Sequence, residues 1–209
     1  MTKLTFYEQV GIVIPGALFL AALIVVIPKL QAYIALSSIG LGEFGIFLLV
    51  AYGIGEAIAA IGNVVETIWW KPWGGMPSNW VTKPDAELLN SAQVASLTSR
   101  INSDFGISVQ SVTGLSAKEW RPIFGQIYRA AIGIRAERID TFNSNYGLNR
   151  GLASAFIALL VIVLIVDWTN WKLAVAVAVA ATIYLYRMHR FGVHFAKEVF
   201  FVFLNGPKK

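Results

Sequence analysis

Apolar residues gather in four runs along this chain, separated by two short polar connections and one long polar stretch. The first run, residues 11–27, is closed by Pro28 and Lys29; Pro15 falls in its first turns, where a proline costs a helix least. Residues 31–42 form a weakly polar connection containing Ser37 and Ser38. The second run, 41–70, is long enough as a helix to cross the ~30 Å hydrocarbon core of a bilayer with turns to spare. It ends in Trp69-Trp70-Lys71-Pro72-Trp73, and tryptophan at this density marks the headgroup level. The third run, 150–166, and the fourth, 173–190, are joined by a tight polar turn that carries Trp168 and Trp171. The alternation in LAVAVAVA has a strand period, but hydrophobic length and setting favour a helix. The pattern predicts an all-α membrane protein: four transmembrane helices as two hairpins, 1–70 and 150–209, with a mostly helical cytoplasmic region, 71–149, between them.

Within 71–149 the punctuation is local. Thr82-Lys83-Pro84-Asp85 has the spacing of a capping box and predicts a helix running to about Ile101. Phe105, Ile107, Val109 and Val112 alternate with polar residues, so 104–114 reads as a short strand or an irregular loop. Ser116-Ala117-Lys118-Glu119 is a second capping box, Pro122 still falls in the first turns, and the helical pattern then runs through Ile139 with no further proline. One long helix is therefore predicted to pass from the polar region into the third span.

Composition agrees with the pattern. Hydrophobic residues make up 56% of the chain and charged residues only 14%, against the ~25% usual in soluble domains. Residues 5–9 form an amphipathic lead-in, and no small-residue cleavage site follows the first run, which reads as a retained span rather than a removed signal peptide. The net charge of +5 matters less than its distribution. Residues 71–150 hold nine Lys/Arg, and the tail adds Arg187, Arg190, Lys197, Lys208 and Lys209, whereas the two hairpin turns show only Lys29 and Lys172. Basic loops stay inside, so the polar region and both termini are predicted cytoplasmic.

The second run carries the most informative chemistry. Tyr52, Glu56, Asn63 and Thr67 fall on one helical face, with Glu66 at its edge, among glycines and alanines that allow close helix–helix approach. A carboxylate at membrane depth costs at least ~2.5–3.5 kcal/mol and normally faces protein or water. The helix therefore reads as the inner element of a bundle or pore, with Tyr52, Glu56, Asn63 and Glu66 as pore or helix-interface residues. The competing reading is a protonated Glu56 that hydrogen-bonds a neighbouring helix.

Arg187, Arg190, His194 and Lys197 are spaced i, i+3, i+7 and i+10, which places four potential cations on one face just inside the membrane. They form either a site for an anionic ligand or an ordinary basic anchor at a helix end. Arg135 and Arg138 make a second basic pair, with Glu137 and Asp140 interleaved, so an ion-paired solvated face competes there with ligand binding. Enzymatic readings find little. Without cysteine, disulfides, thiolate metal sites and thiol catalysis are excluded. Two histidines without an HExxH arrangement supply too few metal ligands, and no P-loop or nucleophile-elbow pattern occurs. The chain is expected to be no enzyme and to need no metal or cofactor.

IPGALFL in the first run, AYGIGEAIAAIGNVVE in the second and YGLNRGLASAF entering the third resemble small multi-span membrane effectors of bacterial anti-phage defence, of the Hailong type. The resemblance covers the layout and these three motifs. It implies a homo-oligomeric effector that alters ion permeability, whose cytoplasmic part senses a nucleotide or single-stranded oligonucleotide. It also implies a nucleotidyltransferase encoded nearby as partner, besides the membrane lipids. A non-conducting scaffold presenting its cytoplasmic region to a partner is the competing reading.

Overall fold

A computed structural model describes residues 6–31, 40–84 and 88–207. The chain is all-α: 84% of it is helical, with no strand among the described residues. Helices α1 (Phe6–Val26), α2 (Pro28–Gln31) and α3 (Leu41–Trp70) precede a 3-10 helix, Pro77–Thr82, followed by α4 (Ser91–Phe105), α5 (Ala117–Val166) and α6 (Trp171–Asn205). Three of them, α3, α5 and α6, are long and apolar enough to cross a membrane, and Gly11–Val26 is a shorter apolar stretch. The protein is therefore a membrane protein. The chain divides into two compact units, Met1–Ile68 with Ser144–His189, and Trp69–Asn143 with Arg190–Lys209.

In the first unit one core collects Phe19 of α1, Ile58 of α3, Leu159 and Val163 of α5 and Val177 of α6. Glycines set how closely these helices approach. A Cβ on Gly16 would overlap the Ala51 carbonyl and the Gly55 backbone; one on Gly55 would overlap the Ile12 carbonyl. Gly151 of α5 leaves room for the Pro15 ring in the same way. Small residues thus replace side-chain interdigitation with backbone contact, as membrane helices commonly do. The apolar stretch of α5 is 44% buried, against 17% for α3 and α6, so the more enclosed span of the single chain is α5.

The second unit packs α4, the first part of α5 and the end of α6 around Leu97, Ile101, Trp120, Ile127, Val199, Phe200 and Phe203, all essentially inaccessible. Trp120, Phe124, Phe200 and Tyr128 form an aromatic stack, with ring centroids 5.8–6.5 Å apart. Trp70 joins this unit too. It is buried edge-on against Trp80 at 6.0 Å, leaving Trp73 as the exposed ring of that cluster.

Several local expectations change. The helix predicted to start at the Thr82 box starts at Ser91 instead, capped reciprocally by Asn90 and Gln93 at 2.8 and 3.0 Å. It ends at Phe105, where Gly106 takes the left-handed conformation that closes helices. Residues 104–114 hold no strand beyond that helix end. Asn102 brackets both backbone groups of Val109, and the Thr98 hydroxyl accepts from Val112 N–H, so side chains take the place of a neighbouring strand. The Ser116–Glu119 box is present, with Ser116 N–H donating to Glu119 at 2.9 Å. The long helix that follows is interrupted once, at Arg135 (φ −154°, ψ 82°). Expectations resting on Thr5, Ser37, Ser38, Asp85, Lys208 and Lys209 lie outside the described residues.

Candidate functional site

α3 has two contrasting faces. Ala51, Gly55, Ile58 and Gly62 turn inward against the rest of the first unit. Tyr52, Glu56, Asn63 and Thr67 turn outward and are exposed on the single chain. The Tyr52 hydroxyl, one turn before Glu56, lies near its carboxylate. The remaining outward surface is small or apolar: Gly53, Ala57, Ala60 and Val64. The polar stripe is thus neither inside the four-helix core nor covered by another element of its own unit.

Glu66 is placed differently. Its Oε2 accepts from Nη1 of Arg150 on α5 at 2.5 Å, with the two side chains 20% and 26% exposed. Gly62 lies beside this pair: a Cβ there would stand in ordinary contact with the arginine side chain, at 3.4–3.5 Å. On α6, Arg187 donates from Nε to Oδ1 of Asn149, a buried residue of α5, at 3.0 Å. Sequence reasoning missed both partners. The one available signal was a lone arginine flanked by Gly147 and Gly151 at the head of an apolar run.

The remaining basic candidates lie in the second unit. Arg190 is exposed and approaches His194 Nε2 at 3.5 Å, and His194 stacks on Phe142 at 5.6 Å. Burial, with the charges of Arg190 and Lys197, holds the His194 imidazole below the usual histidine value. At neutral pH this face therefore presents Arg190 and Lys197 as its cations, without His194. Arg138 reaches Glu198 of α6 at 3.2 Å and lies 5.8 Å from the Phe142 ring. Its partner is therefore Glu198, and not the interleaved Glu137 or Asp140. Arg135 is exposed at the helix break. Another arginine escaped notice as a structural centre: Arg100, 6% exposed, donates to the carbonyls of Phe203, Gly206 and Pro207 and pairs with Asp104 at 3.0 Å.

Among the described residues no three His, Asp or Glu side chains gather as a metal ion would require. Compared with known proteins, the chain matches no family model, no curated protein and no solved structure.

Proposed function

We propose that this is a homo-oligomeric, channel-like protein of a bacterial plasma membrane, in which α3 faces from several copies surround a path for ions. The observation that carries the reading is the outward stripe of Tyr52, Glu56 and Asn63 on an apolar helix. Left against lipid, Glu56 alone would cost at least ~2.5–3.5 kcal/mol. Water in a path between copies removes that cost. The small outer residues Gly53, Ala57 and Ala60 suit close approach of another helix. Each chain crosses the bilayer four times: α1 lies against the middle of α3 through Gly16 and Gly55, as a fourth span would. The basic residues of 71–150 and of the tail support a cytoplasmic polar region and cytoplasmic termini.

The chain has no cysteine, so single cysteines test this directly. Asn63→Cys should react with a membrane-impermeant thiol reagent, and the reaction should reduce current. In intact cells Lys172→Cys should be labelled from outside and Lys83→Cys protected. If copies cross-link through position 63 but the reagent never reaches it, the stripe is a dry interface and the protein a scaffold. Labelling at position 83 from outside would overturn the orientation.

A role in anti-phage defence, with gating by a cytoplasmic nucleotide or oligonucleotide, is supported by the sequence resemblance and by the exposed Arg187, Arg190 and Lys197 on α6. Changing these three to Glu should weaken binding of a single-stranded oligonucleotide and flatten its salt dependence. Unchanged binding together with lost membrane insertion would reduce them to topology anchors.

A further inference from the structure

We infer, on the basis of the path proposed above, that it selects cations, with Glu66, held in place by Arg150, as a second acidic level beside Glu56. Between Glu43 and Lys71, α3 carries two charges, Glu56 and Glu66, and no basic residue. Its exposed polar groups there, Tyr52, Asn63 and Thr67, are neutral and bear oxygens that can replace part of a cation's hydration. The fixed charges that α3 itself brings to such a path are therefore of one sign, which favours cations over anions, and the Arg150 guanidinium offsets part of the Glu66 charge.

The two carboxylates stand ten residues apart, roughly 15 Å along the axis at 1.5 Å per residue. That separation makes them sites in series rather than one cage, so an ion can be bound and passed on. Glu66 lies at the edge of the stripe, beside Asn63 around the helix. Arg150 approaches it from α5, beside Gly62. The pair keeps about a quarter of each side chain exposed and is not sealed inside the bundle. Arg150 is a positioning residue here: its guanidinium, carried on α5 rather than on the path-lining helix, fixes the carboxylate.

Exchanging the two charges, Glu66→Arg with Arg150→Glu, separates this role from a merely structural one. The exchange retains an ion pair between α3 and α5 but puts the guanidinium on the path side. The full-length protein in planar bilayers, under an asymmetric potassium chloride gradient, reads selectivity as a reversal potential. Wild type should reverse near the potassium equilibrium potential, and the exchanged protein should shift toward that of chloride with its oligomer size unaltered. An assembled exchange mutant with the wild-type reversal potential would make the pair a structural latch and overturn the inference. Should the exchange fail to assemble, Glu66→Gln, which still accepts from Arg150, must shift the potential in the same direction; no shift overturns the inference equally. A wild-type preference for chloride would overturn cation selection while leaving conduction intact. A protein that never conducts removes the path itself.

Discussion

Replacing Glu56 by Gln is expected to change conductance or ion selectivity while abundance and oligomeric size stay as they are. Gln keeps the shape and a hydrogen-bond acceptor beside the Tyr52 hydroxyl, so the substitution isolates the charge. A unit charge about 4 Å from a passing cation is worth about 4 kcal/mol at an effective dielectric near ~20, a difference currents report readily. Glu56→Leu should do more, because an apolar ring at a constriction also dewets it. If the stripe is instead a dry helix interface, the outcomes invert: Gln is silent, and Leu disturbs assembly. Planar-bilayer currents recorded beside a size measurement in detergent distinguish the cases. Unchanged currents for both substitutions, from a protein that does conduct, would take Glu56 out of the path.

Arg100→Ala is expected to have the largest effect on stability. Its guanidinium is nearly inaccessible, pairs with an Asp104 side chain only 3% exposed, and lies 4.8 Å from the centroid of the Phe203 ring. Removing it leaves that carboxylate buried without the arginine and takes a donor from three carbonyls in and just beyond the last turn of α6. Breaking one half of a buried pair typically costs 3–5 kcal/mol, and about that much should be lost here. The readout is protease cleavage near the end of α6, which should accelerate while the membrane-embedded helices stay protected. Arg100→Lys should fall between, since one ammonium cannot reproduce the fork. Wild-type resistance in Arg100→Ala would show that the carbonyls are satisfied without it.

Local signals in the sequence were legible where the structure uses them locally. The Ser116 box and the apolar lengths of the spans needed only near neighbours, and both appear. The Thr82 box failed because its spacing is common and says nothing about whether tertiary packing uses it; Asn90 and Gln93 supply the cap instead. Alternation at 105–112 did mark which side chains turn inward, Val112 being fully buried, but the partners of that backbone are side chains on α4. Charge partners were the least legible. Glu66 with Arg150, Arg187 with Asn149 and Arg138 with Glu198 lie 84, 38 and 60 positions apart, and only the folded chain brings them together. The polar stripe itself followed from helical spacing, whereas its outward direction depended on which face the glycines packed.

The second unit draws on two separated stretches, 69–143 and 190–209, with the apolar parts of α5 and α6 encoded between them. During synthesis the first stretch leaves the ribosome while Phe200 and Phe203 do not yet exist, so Trp120, Ile127 and Leu97 have no lid. They must wait until α5 and α6 have been inserted by the translocation machinery. Quality control follows from this order. A chain in which the helices between the two stretches fail to enter the bilayer also fails to deliver the strip that closes this core, so an insertion error becomes an exposed apolar surface that chaperones and proteases can recognise.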